Sequence, residues 1–190
     1  MARAVLRVLA AHGFLGLTLR AVAAELGAST GVVTHYFASK GELQMFALDL
    51  LARSVEERQR PTAAPGMASL RTLLLGMLPV GAEAATANRI WISSWDVVLA
   101  EAQLTAAHAK SYADSRDRLE GAIRAAQDNG DLVVGNPADL AATLHAFTLG
   151  LTVQAVLDPA AFPPDRQIAL TDAYLDGLTP SRRSAIRPPH

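Results

Sequence analysis

The sequence predicts an all-helical protein, and three observations support this fold class. Hydrophobic residues make up 51% of the 190 residues, yet only 5% are aromatic. Much of the hydrophobic content is Ala and Leu, which lose little conformational entropy in a helix, whereas β-branched and aromatic residues favour strands. Apolar residues recur at helical spacing, and no alternating run is long enough to indicate a strand.

The first sixty residues predict four helices, each with a recognisable start or end. Their spans are 2–12, 19–26, 30–37 and about 40–60. Thr18 and Ser29 precede the second and third helices, and Gly27 lies where a left-handed residue ends the second. Ser39 and Glu42 form a capping box that starts the fourth.

The remaining chain predicts five more helices, which gives nine in total. Their spans are about 67–78, 82–101, 103–129, 137–157 and 165–178. Asn136 as N-cap and Pro137 at the first helical position are a strong start signal. The stretch 61–66 (PTAAPG) is the predicted hinge, and the last dozen residues are predicted to be a frayed tail.

Residues 18–37 have the pattern of two short helices that cross steeply. The crossing needs a small residue, which Ala23 supplies, and the turn needs a residue that tolerates positive φ, which Gly27 supplies. Val33 supplies the apolar contact inward. The side chains left exposed are polar: Thr30, Thr34, His35 and Tyr36. Such side chains suit phosphates and base edges, although an ordinary helical hairpin with a polar outside has similar spacing.

The run GFLGLTLRAVAAELGASTGVVTHYFASKGEL, residues 13–43, resembles the helix-turn-helix of the TetR family of regulators. In that family the motif is followed at once by Ser/Asn-Lys at the start of a long fourth helix. The resemblance implies a one-component transcription regulator, expected to repress rather than activate. It implies a three-helix DNA-binding head at 1–46 with its motif at 18–37, a ligand-sensing and dimerising body at 47–178, and a flexible tail at 179–190.

The resemblance also implies a set of DNA-contacting residues. These are Thr18, Arg20, Thr30, Gly31, Val32, Thr34, His35, Tyr36 and Lys40. Thr18 and Lys40 would anchor phosphates, and Lys40 lies at a helix N-terminus that already attracts anions. Arg20 is either a phosphate contact or a surface ion-pair partner.

Two departures from the family pattern bear on these contacts. The family commonly has a tyrosine at the position of Thr34, so the phosphate contact of that ring is weakened or replaced. The first helix begins almost at Met1, so either the basic N-terminal arm is missing or the true start lies upstream. Loss of the arm would lower both the affinity for DNA and its salt dependence.

The second half resembles the BetI-type branch of the same family, in its Trp pair, its long helix and its "GL…LDP" ending. Helix 137–157 is apolar on two sides and therefore predicts burial on two sides. Together with helix 165–178 it would form a four-helix homodimer interface. The alternative is a fully enclosed monomer core.

A small-molecule effector pocket is predicted among the helices of the body. Trp91 and Trp95 are four residues apart and share a helix face. The proposed lining is Leu74, Met77, Trp91, Trp95, His108, Tyr112 and Phe147. These tryptophans are otherwise ordinary core residues, and a cation held by cation–π contact is a less favoured form of the pocket hypothesis.

Other function classes find little support in the sequence. The chain has no cysteine, no glycine-rich phosphate loop and five scattered histidines without metal-ligand spacing, so no enzyme, cofactor or metal site is expected. No stretch approaches twenty unbroken apolar residues and no signal peptide is expected, so we expect a cytoplasmic protein without a membrane span. The alternative function is a TetR-like helical interaction protein that has lost specific DNA binding.

Overall fold

The computed structural model describes residues 1–60 and 66–180, and this part of the chain is helical with no strand. Its helices are α1 (Ala2–His12), α2 (Leu19–Leu26), α3 (Thr30–Thr34), α4 (Lys40–Arg58), α5 (Met67–Met77), α6 (Ala82–Ser93), α7 (Trp95–Ala100), α8 (Ala102–Asp128), α9 (Pro137–Leu157) and α10 (Pro164–Gly177). The predicted fold class is confirmed. Most of the predicted hinge, 61–65, and most of the tail, 181–190, lie outside the described residues.

The predicted helix over 82–101 is broken at Ser94 into α6 and α7. The Ser94 hydroxyl donates to the carbonyl of Trp91 at 2.7 Å, while the Ser94 backbone N–H is shared between the carbonyls of Ile90 and Trp91. A serine that bonds its own helix backbone in this way favours a bend. Counted as one bent helix, α6 and α7 restore the nine helices of the prediction.

The third helix is shorter than predicted and ends at Thr34 rather than at residue 37. The backbone N–H groups of Tyr36 and Phe37 both donate to the carbonyl of Val33 at 3.0 Å, which closes a turn after the helix. This turn carries the Phe37 ring back into the core of the head and leaves Tyr36 outside.

Thr18, Ser39 and Asn136 form the predicted side-chain caps, whereas Ser29 precedes α3 without a side-chain cap hydrogen bond. The hydroxyl of Thr18 accepts from the N–H of Ala21 at 3.0 Å, and that of Ser39 accepts from the N–H of Glu42 at 3.1 Å. The Glu42 carboxylate reaches back to the N–H of Ala38 at 2.8 Å, one residue before the cap residue expected from the sequence. Each such cap stabilises its helix by about 1 kcal/mol.

Two buried clusters build the core. The first joins α1 to α4 through residues such as Phe14, Val22 and Leu43, and it extends to Ile90 of α6 and Leu104 of α8. The second joins α5, α8, α9 and α10. The head therefore packs against the beginning of the body instead of standing apart from it.

Helix α9 is the most apolar long helix of the described residues. Its best 18-residue window has a mean hydropathy of 1.6, so by length and composition alone it could cross a membrane. The sequence prediction concerned twenty unbroken apolar residues, a run that α9 does not contain because Asp139 and His145 interrupt it. Core helices pass the same test, and α9 packs on α5, α6, α8 and α10. Only 39% of that window is buried within one chain, so much apolar surface is left uncovered.

The far end of α4 is fastened to the body at a close junction. Gln59, 1% exposed, follows α4, donates to the carbonyl of Leu73 at 3.0 Å and accepts from the Arg118 guanidinium at 3.0 and 3.2 Å. Gly76 of α5 lies so close that a Cβ there would be 2.9 Å from the carbonyl oxygen of Arg58. The φ of Gly76 is not positive, so its backbone conformation does not require glycine. The close packing against α4 does.

A continuous run of rings links α6, α8 and α9. Trp91 stacks on His108 with centroids 4.1 Å apart, His108 meets Tyr112 edge-on at 4.7 Å, and Tyr112 meets His145 at 5.0 Å. Burial lowers the pKa of His108 to about 4, and burial together with the charge of Arg116 lowers the pKa of His145 to about 4. Both imidazoles are therefore neutral at pH 7.

We predict that Gly76→Ala destabilises the protein by about 1 kcal/mol or more, because the added methyl group forces α4 and α5 apart. Gly121→Ala in α8 is the matched control, since nothing lies within 4 Å of the Cβ position and alanine favours the helix by about 1 kcal/mol. Urea unfolding at a fixed protein concentration measures both. A Gly76→Ala variant as stable as the control would contradict the close packing described.

We also predict that stability falls as the pH is lowered from about 6.5 toward 4. In this range the unfolded chain protonates both histidines while the folded chain keeps them neutral, so the unfolded state gains protons and is favoured. Each histidine should contribute about 2 kcal/mol to the loss between pH 7 and 5. The His108→Phe variant keeps a ring against Trp91 and should remove about half of this loss. An unchanged pH dependence in that variant would be the contrary result.

Candidate nucleic-acid interface and interior pocket

The crossing of α2 and α3 has the geometry expected from the sequence. Gly27 adopts the left-handed conformation with φ 63° and ψ 29°. The N–H of Ala28 donates to the carbonyl of Ala23 at 3.0 Å, which closes the end of α2. Ala23 and Val33 are buried where the helices meet. The turn and the small residue therefore place α3 at a fixed angle on the head.

Eight of the nine predicted DNA-contacting residues are exposed, seven of them between residues 30 and 40 and one on α2. They are Arg20, Thr30, Gly31, Val32, Thr34, His35, Tyr36 and Lys40, while Thr18 is half-buried. Val32 and Tyr36 are large side chains that are 46% and 63% exposed. A large apolar or aromatic side chain held in solvent gains little within the chain, so both side chains are accessible to a partner.

The polar groups of this surface keep hydrogen-bonding capacity for a partner. The hydroxyl of Thr18 accepts from the N–H of Ala21, which leaves its own O–H free to donate to a phosphate. The hydroxyl of Thr34 donates to the carbonyl of Gly31 at 3.1 Å, so it is left as an acceptor. Thr34 cannot at the same time donate to a phosphate in this conformation.

The two basic residues of the surface have no acidic partner in the part of the chain that the structure describes. No carboxylate oxygen lies within 4 Å of the charged groups of Arg20 or Lys40 there. Lys40 is the first residue of α4, beside the unpaired N–H groups and the positive end of the helix dipole. This arrangement favours an anion such as a backbone phosphate.

A pocket lies between α4, α5, α6, α8 and α9. Its interior cavity has a volume of about 60 Å³ and opens into further space that is continuous with the solvent. Its lining is Leu51, Ala52, Val55, Arg58, Met77, Ala87, Asn88, Trp91, Ser111, Tyr112, Ser115, Arg118, His145, Leu149 and Thr152. Burial raises the pKa of Tyr112, whose hydroxyl accepts from the indole N–H of Trp91 at 3.3 Å. Apolar walls with a few polar groups are typical of small-molecule sites.

The pocket contains some of the predicted lining residues and not others. Met77, Trp91 and Tyr112 line it. His108 lies behind Trp91, stacked on its ring. The remaining three, Leu74, Trp95 and Phe147, are not among the lining residues.

Two of these three have clear places elsewhere. Leu74 is fully buried in the second core cluster. The ring of Phe147 stacks on Tyr174 of α10, with centroids 4.4 Å apart. The helix pattern showed that Phe147 lies on an apolar face, but not which neighbouring helix covers that face.

Sequence reasoning missed the contribution of α4 to the pocket. Leu51, Val55 and Arg58 recur at helical spacing and therefore share one face of α4. No residue of this helix was assigned to the pocket from the sequence. The sequence signal for this part of the pocket was Arg58, a charged residue at the end of an otherwise apolar face of α4.

Comparison with family models identifies both parts of the chain. The model described as bacterial regulatory proteins, tetR family, matches residues 3–44. The model described as BetI-type transcriptional repressor, C-terminal, matches residues 66–180, more than half of the chain. The first core cluster crosses between the two matches, since it extends from the head to Ile90 and Leu104.

Individual proteins give the same result. The chain is 30% identical over 175 residues to the HTH-type transcriptional regulator PksA of Bacillus subtilis, covering 87% of this chain and 82% of that protein. The structure matches a transcriptional regulator of Rhodococcus sp. with a TM-score of 0.82 at 23% identity, over 93% and 92% of the two chains. It matches a Saccharomonospora viridis regulator in complex with choline with a TM-score of 0.84 at 20% identity, over 95% and 98%. The chain belongs to the TetR family of transcriptional regulators, with a DNA-binding N-terminal domain and a BetI-type C-terminal domain.

Proposed function

We propose that this regulator represses transcription by binding palindromic operator DNA as a homodimer, and that a small-molecule effector releases it. The head would comprise residues 1–46 and the body 47–178. The observation that carries the proposal is the exposed surface of α3 and the start of α4. It presents hydroxyls on α3, the rings of His35 and Tyr36 in the turn that follows, and Lys40 at the start of α4, which has no acidic partner among the described residues. An exposed helix with such neighbours suits the major groove.

The exposed apolar surface of α9 and α10 supports the homodimer. Leu157 of α9 is 75% exposed, and Leu170 of α10 is 37% exposed. The stacked rings of Phe147 and Tyr174 are only partly covered by their own chain. Two helices from each protomer can bury this surface in an isologous four-helix interface. A twofold pair would then place its two α3 helices about 34–36 Å apart, one turn of DNA.

Helix α4 supports the coupling between effector and operator. Its first half packs in the core of the head through Leu43, Ala47 and Leu48, and its second half lines the pocket through Val55 and Arg58. A ligand that fits the pocket better in one position of α4 shifts the population toward that position. The distance between the two α3 helices then changes, and the fit to one half-site is lost.

We predict that Lys40→Ala weakens binding to the DNA flanking the gene of this regulator and makes binding less dependent on salt. Each lost phosphate contact lowers the slope of log K against log salt by about 0.9, so a homodimer should lose about two units. Lys110→Ala is the matched control, because it removes the only other lysine, which is paired with Asp114 on the body. Gel shifts at several salt concentrations measure both.

We predict a different signature for Tyr36→Ala, which removes a large side chain that is 63% exposed, without a change of charge. The affinity for the operator should fall while the salt slope is retained. If the wild-type protein gives no sequence-specific shift at low salt without effector, the DNA-binding proposal is wrong and the alternative of a protein-interaction role is favoured.

A further inference from the structure

We propose that the effector is an organic carboxylate with an apolar body, bound through Arg58. The proposal rests on the proposed function in one respect: it takes the pocket between α4 and α9 to be the effector site. It specifies the charge of the ligand and the residue that holds it.

The guanidinium of Arg58 is only partly satisfied by the protein. Its Nε donates to the carbonyl of Gly76 at 3.1 Å, and its Nη1 donates to the hydroxyl of Ser54 at 2.8 Å. Its Nη2 is buried and has no hydrogen-bond partner among the described residues. A buried, charged donor without a partner costs free energy, so an acceptor that reaches Nη2 gains more than an ordinary hydrogen bond.

The charges around the pocket favour an anion. Its lining includes the two guanidinium groups of Arg58 and Arg118 and contains no carboxylate. Arg118 is already bonded to Gln59 and lies 3.5 Å from Glu56. Arg58 has no ion pair within 4 Å among the described residues, although the charge of Glu83 acts on it from a longer distance.

Partial removal of Arg58 from water strengthens the preference of the pocket for an anion. Burial lowers the pKa of Arg58 from its usual value, but an arginine so placed remains a cation at neutral pH. A cation removed from part of its water interacts with an anion through a lower effective dielectric than it would at the surface. Arg58 is therefore the strongest available contact for a negatively charged ligand in this pocket.

The apolar part of the lining favours an apolar body for the ligand. Leu51, Val55, Met77 and Leu149 supply aliphatic or thioether surface, and Trp91 supplies part of its ring. A small inorganic anion would leave this apolar surface in contact with water and would gain no free energy from burying it. A hydrocarbon chain or ring attached to the carboxylate gains from both parts of the site.

A cationic ligand fits the same pocket poorly. One face of Trp91 is covered by His108, so the ring does not form an open cage. The acidic groups nearby, Asp49, Asp114 and Glu56, line an adjoining surface groove that meets the pocket at Ala52, Trp91 and Ser111. Asp49 and Asp114 are ion-paired there with Arg53 and Lys110. The choline of the Saccharomonospora viridis complex therefore belongs to that protein, and this chain lacks a carboxylate in the pocket to receive such a cation.

The position of Arg58 links the ligand to regulation. It is the last residue of α4 and already holds Gly76 of α5. A carboxylate on Nη2 would be bound at the end of the helix whose beginning carries Lys40. Ligand binding would then act directly on the junction that fixes the inclination of α4.

The test compares three ligand series that differ only in the charge of the head group: hexanoate, octanoate and decanoate, the matching primary amides, and the matching alkylammonium ions. Binding to the full-length wild-type protein is measured by tryptophan fluorescence and by calorimetry, without DNA. We expect at least one carboxylate to bind at least tenfold more tightly than its amide and its ammonium counterpart. Equal or tighter binding of the amide or the ammonium, or no binding of any carboxylate, would overturn the proposal.

Variants locate the carboxylate. Arg58→Met retains an apolar stem and should weaken binding of the best carboxylate at least tenfold, and Arg58→Lys should weaken it less. Arg53→Met is the matched control on the same helix, because Arg53 is exposed, paired with Asp49 and lines the neighbouring groove instead. Unchanged binding in Arg58→Met, or a loss in Arg53→Met, would show that Arg58 does not hold the ligand.

The outcomes distinguish this inference from the proposed function. Operator binding by the ligand-free protein tests the proposed function and does not involve Arg58. If the wild-type protein binds its operator but prefers the ammonium series, the proposed function stands and the inference about the carboxylate is wrong. The wild-type ligand series needs no variant, so the inference stays testable even if Arg58→Met fails to fold.

Discussion

The structure depends on one helix, α4, being held at both ends by different parts of the molecule. Its first half belongs to the core of the head, where Leu43 and Ala47 are buried against α1 and the crossing helices. Its far end is fixed by the buried amide of Gln59 and by the close approach of Gly76. A rigid helix clamped at both ends transmits a displacement at one end to the other. A flexible linker between the head and the body would not transmit such a displacement.

Much of this arrangement was predictable from local sequence rules. The caps at Thr18 and Ser39, the left-handed Gly27 and the small Ala23 are short-range features, and each is found where the sequence places it. The break at Ser94 was missed because serine within a helical pattern is compatible with both a straight and a bent helix. The end of α3 was misplaced because Phe37 is apolar and continues the helical pattern while its backbone has already turned.

The pocket was harder to predict, because its lining depends on which helix faces meet. Trp91 and Tyr112 were predicted because large aromatic rings on helices are common lining residues of a pocket between helices. Arg58 was not predicted, because its role depends on the close approach of α5 to α4. At Gly76, 18 residues further along the chain, the two helices are in van der Waals contact. Phe147 shows the converse: an apolar face was recognised correctly, but the ring packs on Tyr174 and away from the pocket.

The measurement that tests the central claim most directly is the distance between the two heads of a dimer. The chain contains no cysteine, so Ala38→Cys introduces a single labelling site, exposed and beside α3. Pulsed electron spin resonance on the spin-labelled protein reports the distance between protomers. Our account predicts a narrow distance distribution that shifts by several ångströms when the preferred carboxylate is added. No interprotomer distance at all, or a distance that is the same with and without bound ligand, would contradict it.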